Sequence, residues 1–397
     1  MLKGKNVLLC VTGSIAAYKI AELASRLVKK HCNVDVIMTK NAPITFETLT
    51  GNKCIVDTFD RNFQFNVEHV SLAKKADCVM VAPASADIIG KMANGIADDM
   101  LTTTVLACKC KIMVSPAMNT NMYDNAIVQD NIKKLAHYGM EIIEPDSGYL
   151  ACGDTGRGKM PSPELLEWHI LKEIAREKDM KGLRVCVTAG PTREIIDPVR
   201  FISNNSTGKM GYAIAKEAML RGAEVTLISG KVNIAPVPFV NMVNIVSAKD
   251  MYYEVMKASE YSDIIIKAAA VADYRPATVS DNKIKKKDGD MSIELTRTED
   301  IIGTLGKNKK NNNFLCGFSM ETENMLENSK AKLEKKNLDM IVANNVKVKG
   351  AGFGTDTNVV TIITKNDCKE LPIMSKDDVA DEILSEILKN RKDCQSQ

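Results

Sequence analysis

Residues 5–39 are patterned in blocks. An apolar run (NVLLCV) leads to a small turn at Gly13-Ser14, then Ile20, Leu23, Ala24 and Leu27 fall on one helical face, and a second apolar run follows. The spacing predicts strand, helix and strand, and two parallel strands joined by a helix make a βαβ unit. CVMVAPAS (78–85) and KIMVSPAMN (111–119) predict further strands of the same sheet. Each ends in a turn rich in Ser, Pro or Asn, and ligands of doubly wound sheets sit beyond the carboxyl ends of the strands.

Residues 166–182 (LEWHILKEIAREKDMKG) read as a charged amphipathic helix and linker. The pattern then restarts in residues 183–230, with Gly222 closing the second helix. Here the loop between strand and helix is far longer, so the second half is not a copy of the first. The fold class expected is α/β, with two doubly wound, Rossmann-like domains. The first covers 1–175, a linker 176–182, and the second domain 183–397.

A chain of 397 residues with 45% apolar and 26% charged residues can bury two cores. Lys plus Arg (53) nearly balance Asp plus Glu (50), and a net charge of +3 argues against a partner held by bulk electrostatics, such as nucleic acid. The 11 cysteines are odd in number, and Cys10, Cys78 and Cys186 lie in apolar strands, so reduced thiols are expected. Scattered histidines (His31, His69, His137, His169) and the spacing of Cys108 and Cys110 argue against a zinc site. The start MLKGKNVLLCVTGS is too short an apolar run for a signal peptide, and a cytoplasmic protein is expected.

Cys152, in YLACGDTGRGKMPSP (149–163), stands among glycines, charges and prolines, where a buried structural cysteine is out of place. Cationic surroundings favour its thiolate, whereas an inert exposed thiol is the plain alternative. Neither half carries G-x-G-x-x-G, and STGK at 206–209 lacks the first glycine and the spacing of a Walker A loop.

VTGSIAAYK (11–19), EHVSLAKKAD (68–77), APASADIIGKMANGIADDMLTT (82–103), PAMNTNMY (116–123) and ACGDTGRGKM (151–160) resemble the flavin-dependent cysteine decarboxylases. TAGPTREIIDPVRFISNNSTGKMG (188–211), AAAVADYRP (268–276), KIKKK (283–287) and KNLDMIVANN (336–345) resemble the phosphopantothenoylcysteine synthetases. In this order, over nearly the whole chain, they are similar to the bacterial bifunctional enzymes of coenzyme A synthesis, phosphopantothenate–cysteine ligase with phosphopantothenoylcysteine decarboxylase.

The resemblance implies a flavodoxin-like first domain that holds FMN, followed by a synthetase domain. Gly13, Ser14 and the start of their helix offer N–H groups and a hydroxyl to a phosphate, although the pair alone reads as an ordinary N-cap turn. Thr39 ends the next strand on the same edge, and Ser85 with Met118 or Met122 is expected beside the flavin ring. In the family, FMN oxidises the substrate's cysteinyl thiol to a thioaldehyde, which stabilises the carbanion that loss of CO2 leaves. His69 matches the family's essential histidine, placed beside a neighbouring subunit's flavin; without the motif it is a surface histidine at a helix start. Asn119 matches the residue that holds the substrate carboxylate, with turn chemistry as its plain alternative. Cys152 then serves as the proton donor to carbon, and the glycines around it form a flap. Lys159 stands where the family commonly has Arg, and Asp99 where Asn is frequent.

The bacterial synthetases activate a carboxylate as an acyl-cytidylate made from CTP, and the amine of cysteine then attacks. On this resemblance Asn204 contacts the acyl intermediate, Lys283 serves the same region, and the Gly208–Gly211 turn offers N–H groups to phosphate. Ala268 and Ala269 let the nucleotide approach the backbone. Asp273, Glu299, Asp300, Ile301, Ile302, Phe318, Lys332 and Lys336 complete the CTP set, with Glu299 in place of the usual proline. Lys332 and Lys336 share a helical face at i, i+4, where solvated lysines are the default, and core packing is the alternative for Phe318. Mg2+ is expected on the triphosphate, without a nameable protein ligand.

The partners expected are 4′-phosphopantothenate, cysteine and CTP, with no nucleic acid and no membrane. The family implies a homo-oligomer, a dodecamer built from trimeric flavin domains and dimeric ligase domains. Two other readings compete. A nicotinamide-dependent oxidoreductase on tandem Rossmann-like domains lacks its glycine fingerprint. A flavin-bearing scaffold without turnover should have lost His69, Asn119 or Cys152, and all three are present.

Overall fold

The first apolar run forms β1 (Asn6–Val11), buried from Val7 onward. It is followed by the helix Tyr18–Lys29, which turns Ile20, Leu23, Ala24 and Leu27 wholly into the core, as the i, i+3, i+4, i+7 spacing requires. β2 (Asn33–Met38), β3 (Cys78–Ala84), β4 (Lys111–Pro116) and the short β5 (Glu141–Ile142) complete a sheet ordered β2-β1-β3-β4-β5. Every pairing is parallel. All seven residues of β3 are buried, because helices cover both faces of a parallel sheet. One of those faces packs Val79, Val81, Ile88, Ile89, Met100 and Val105 together. The strand order reverses between β1 and β3, the topological switch point of such a sheet.

The computed structural model describes residues 1–40, 46–56, 68–149, 153, 155–286, 290–310, 313–320, 324–344, 352 and 354–395, the last four of these by backbone only. The chain divides into two units, Met1–Glu177 and Lys178–Gln397. The nine described cysteines are free thiols.

The helix expected with a linker in 166–182 runs over Pro163–Ile174, so it starts three residues earlier. Ser162 caps it by accepting from Leu165 N, and Pro163 suits its first turn. It packs on the helix Tyr18–Lys29, where the buried carboxylate of Glu167 takes Arg26 at 2.7 Å and Lys30 at 3.3 Å. The residues after it turn to other partners: Lys178 Nζ donates to Leu220 O at 2.6 Å, Asp179 pairs with the buried Arg221, and Met180 is fully buried. Residues 178–180 are thus anchored within the second unit.

In the second unit β6 (Arg184–Ala189), β7 (Glu224–Ser229), β8 (Asn241–Asn244), β9 (Ile264–Lys267), β10 (Phe314–Met320) and β11 (Met340–Asn344) form a parallel sheet, extended by antiparallel β12 (Val360–Thr364) and β13 (Cys368–Glu370). The order is β8-β7-β6-β9-β10-β11-β12-β13, so β6 and β9 flank the switch point. The long loop after β6 holds a small hairpin, Arg193–Ile195 with Phe201–Ser203, before the helix Lys209–Leu220.

Glu167→Ala removes the one buried carboxylate that Arg26 and Lys30 share, leaves Arg26 only its longer contacts to the exposed Glu22 and Glu164, and is expected to cost about 2 kcal/mol. The chain's single tryptophan, Trp168, sits on the same helix and reports that unit alone. Its fluorescence in urea should show an earlier transition in the variant; an unchanged midpoint would contradict the role of the pair.

Candidate active sites

In the first unit the carboxyl ends of β1, β2, β3 and β4 share one edge. The buried Thr12 ties the two strands of the switch point together: its hydroxyl donates to Pro83 O at 2.7 Å and accepts from Ser85 N at 3.2 Å. Ser14 accepts from Ala16 N at 3.3 Å and so opens the short 3-10 turn Ile15–Ala17 that runs into the first helix. Thr39 steadies that turn by accepting from Gly13 N at 3.1 Å. Ser85 caps the helix Ala86–Ala93 through Ile88 N, and Asn119 caps Thr120–Tyr123 through Asn121 N. Asp99 forms a capping box with Thr102 at the start of Met100–Ala107.

A cleft of about 540 Å³ opens on this edge, lined among others by Ser14, Tyr18, Lys19, Met118, Asn119 and Lys159. That volume lies within the range of small-molecule and cofactor sites. One wall is the hairpin Asp146–Tyr149 with Thr155–Lys159. Gly158 seats it, at φ 125°. A Cβ there would stand 2.2 Å from Met118 O, and Met118 N donates to Gly158 O at 3.1 Å. Thr120 donates to Arg157 O, and the Arg157 guanidinium pairs with Asp124, both at 2.8 Å. Lys19 donates to Met160 O at 2.9 Å; burial and the nearby Lys159 ammonium hold it below the ordinary lysine range. Two lysines therefore give the cleft a positive field.

Ser14, Met118 and Asn119 meet in this cleft. Thr39 and Ser85 act at its base through the turn and the helix cap. Met122 is 49% exposed and does not line the cleft. His69, half-buried on the helix Glu68–Lys75, is not among the lining residues either. Cys152 lies outside the described residues. Thr12 and Lys19 were not singled out by the sequence, because hydroxyl and amine contacts across the sheet edge leave no periodic trace.

In the second unit the segment after β9 is held by buried threonines. Ala269 N donates to the Thr188 hydroxyl at 3.1 Å and Ala272 N to the Thr192 hydroxyl at 3.0 Å. Asn204 Nδ2 reaches Ala270 O at 3.2 Å, which brings the 203–205 loop to the same edge. Thr298 donates its N–H to Asp273 O at 3.0 Å, joining Asp273 to the segment that carries Glu299 and Asp300. Asp300 caps the helix Ile301–Lys307 by accepting from Gly303 N at 3.0 Å, and Lys336 donates to the same carboxylate. Lys336 ends the helix Met325–Lys335, with Lys332 in its last turn.

Asp273, Asp300, Ile301, Ile302, Lys332 and Lys336 thus gather on one face of the sheet. Phe318 does not join them. Its neighbour Gly317 faces Ile302 and Leu338, so strand alternation turns Phe318 to the opposite face. There it lines a cavity of about 150 Å³ with Ser206–Gly211 and Ala268–Ala270. Glu299 and Lys283 are exposed.

The segment carrying Lys283 is fixed by Asp197 and Arg200, which lie within the 188–211 motif but which no periodicity or spacing marks. The buried Asp197 accepts from Val199 N and Arg200 N at 2.8 Å each and from Ile284 N at 3.1 Å; Arg200 donates to Ile284 O at 3.1 Å. Burial pushes the Asp197 carboxyl up, but the three N–H donors and the Arg200 guanidinium outweigh it and hold the carboxyl below the ordinary aspartate range.

A depressed folded value stabilises the fold fully above the unfolded value near 4, and the gain is lost as pH falls through the folded one. Asp197→Asn should therefore lower the melting temperature at pH 7, with the difference from the parent shrinking below pH 4. A difference that stays constant down to pH 2.5 would contradict this.

Residues 1–175 match the family Flavoprotein, and residues 180–390 the family DNA/pantothenate metabolism flavoprotein C-terminal domain. The chain is 50% identical to the coenzyme A biosynthesis bifunctional protein CoaBC of Bacillus subtilis (strain 168), over 98% of this chain and 97% of that one. It is 42% identical to the protein of the same name from Haemophilus influenzae, over 98% of each. Among solved structures, the crystal structure of the C-terminal domain of a coenzyme A biosynthesis bifunctional protein CoaBC is 44% identical, with a TM-score of 0.47, covering 54% of this chain and 98% of that one. With a flavoprotein unit followed by that C-terminal unit over nearly its whole length, the chain belongs to the family of coenzyme A biosynthesis bifunctional proteins.

Proposed function

We propose that the chain catalyses two consecutive steps of coenzyme A synthesis. The first joins 4′-phosphopantothenate to cysteine, driven by CTP through an acyl-cytidylate. The second is FMN-dependent decarboxylation of 4′-phosphopantothenoylcysteine to 4′-phosphopantetheine. The observation that carries this reading is that Ser14, Met118 and Asn119 line one cleft at the carboxyl edge of the first sheet, while Asn204 meets the Ala268–Asp273 segment that follows β9 in the second.

The first cleft fits a flavin mononucleotide in volume, in its positive field and in its helix-start N–H groups and Ser14 hydroxyl. Bound FMN supplies the two-electron chemistry that lets the carboxylate leave and that is reversed afterwards. Gly13 and Ser14 hold the phosphate, Thr39 and Ser85 shape the edge, and Met118 offers an apolar neighbour to the ring. Asn119, oriented through Asn121 N, holds the substrate carboxylate. Cys152 gives the proton to carbon, and His69 acts beside a neighbouring subunit's flavin.

In the ligase unit Lys283, on the strap fixed by Asp197 and Arg200, neutralises the acyl phosphate, and Asn204 contacts the acyl group. Ala268, Ala269, Asp273, Glu299, Asp300, Ile301 and Ile302 surround the nucleotide, and Phe318 packs from the other face. Lys332 and Lys336 take phosphate, for which Lys336 exchanges its bond to Asp300. Mg2+ accompanies the triphosphate; among the described residues no group of three or more His, Cys, Asp or Glu side chains is arranged to hold a metal ion. The decarboxylase domain is 1–175, the linker 176–182 and the ligase domain 183–397. The protein works in the cytoplasm as a homo-oligomer, a dodecamer of trimeric flavin domains and dimeric ligase domains. No described helix is long and apolar enough to cross a membrane.

Two assays on the full chain test the reading: pyrophosphate release from CTP and CO2 release from 4′-phosphopantothenoylcysteine. Pyrophosphate release should require 4′-phosphopantothenate. Lys283→Gln should slow ligation about 100-fold or more while decarboxylation continues. Cys152→Ser should still release CO2 but stop at an oxidised, unsaturated product. A normal phosphopantetheine yield from Cys152→Ser, or pyrophosphate release that ignores 4′-phosphopantothenate, would overturn the assignment.

A further inference from the structure

Lys267 is the last residue of β9, the strand at the switch point of the second sheet, and nothing above assigns it a role. Strand alternation puts its side chain on the same face as Ile265, and Ile265 packs with Ile301, Leu305, Leu333 and Ile341. That is the face on which Asp273, Asp300, Lys332 and Lys336 gather. Its lateral neighbours in the sheet are Thr188 and Gly317, and Leu338 and Ile302 pack over Gly317 on the same face. Lys267 is half-buried, and Asp273, Lys336 and Lys332 are the charged groups that act on it.

The charges that act on it are unbalanced. Asp273 favours the ammonium, whereas Lys336 and Lys332 oppose it, and the Asp300 carboxylate is already engaged by Lys336. Burial is the larger influence, and together they pull Lys267 down to about 8. A half-buried cation beside two others is costly until an anion arrives. A polyphosphate supplies that anion.

We propose that the Lys267 ammonium is a further cation of the nucleotide site, binding a phosphate oxygen of CTP and of the departing pyrophosphate. This rests on the ligase reading given above. The geometry makes Lys267 a binding group whose proton is taken up with the nucleotide: partly neutral near pH 8 in the free protein, it is charged once phosphate is beside it. Affinity for CTP therefore falls as pH rises from 8 to 10.

The test uses the full chain with Lys267→Met and Lys267→Arg. Calorimetric titration with CTP in two buffers of different ionisation heat should show proton uptake near pH 8 in the parent and none in either variant. Lys267→Met should bind CTP about tenfold more weakly. Without nucleotide it should melt higher than the parent, since a partly desolvated charge opposed by two neighbouring lysines has gone. Lys267→Arg should keep affinity at pH 10, because a guanidinium does not titrate there. The CO2-release rate should not change in either.

Parent-like CTP affinity and proton uptake in Lys267→Met would overturn the proposal and leave the ligase reading standing. So would a lower melting temperature in that variant, which would mark a structural role. An effect confined to the KM for cysteine would likewise overturn it. Parent protein that neither binds CTP nor releases pyrophosphate would overturn the ligase reading and this proposal together.

Discussion

Both units depend on one kind of contact: a buried threonine hydroxyl that bridges the two strands of a topological switch point. Thr12 follows β1 and reaches Pro83 and Ser85, 71 and 73 residues away. Thr188, within β6, accepts from Ala269, 81 residues away. Diverging crossover connections open a crevice between such strands, and the backbone groups at its floor have lost their sheet partners. A hydroxyl, donor and acceptor at once, satisfies them without filling the crevice. A bulkier polar side chain would occupy the ligand's place.

The chemistry of each site builds outward from that floor. In the first unit the bridged strands present two helix starts, Ser14 and Ser85, and the Gly158 hairpin closes on Met118 from the side. In the second unit the bridge sets the path of Ala268–Ala272, so that Asp273, the Asp300 helix start and the end of the Lys336 helix converge. The units differ in charge management. The first lines its cleft with two lysines, whereas the second sets the half-buried Lys267 near Lys332 and Lys336 and ties Lys336 to Asp300.

Much of the scaffold was legible from pattern alone. The runs at 6–11, 33–38, 78–84 and 111–116 became strands, and the helix face of Ile20, Leu23, Ala24 and Leu27 is wholly buried, because burial is what periodicity encodes. The capping role of Ser14 was legible because a small hydroxyl before a helix start has a local hydrogen-bonding use, whereas Asn119 read as a turn and caps a helix start. The helix read at the start of 166–182 ends at Ile174, and Lys178, Asp179 and Met180 in the expected linker find partners in the second unit, which no local propensity reveals. Strand alternation at Gly317 separates Phe318 from Asp300 and Lys336 and puts it instead beside Ala268 and Ala269, which the sequence pattern does not show. The hold of Asp197 on Ile284 and of Asp300 on Lys336 joins residues 87 and 36 apart through single carboxylates, and such contacts leave no period in the chain.

The bridging hydroxyls are tested most directly by measuring both half-reactions on Thr12→Val and Thr188→Val, which keep shape and remove the hydroxyl. Each leaves a half-buried backbone N–H without its partner, at a cost of about 1 kcal/mol. The account predicts that Thr12→Val slows CO2 release with ligation unchanged, and that Thr188→Val slows ligation with CO2 release unchanged. Variants that leave both rates at the parent value, or that slow the reaction of the other unit, would contradict it.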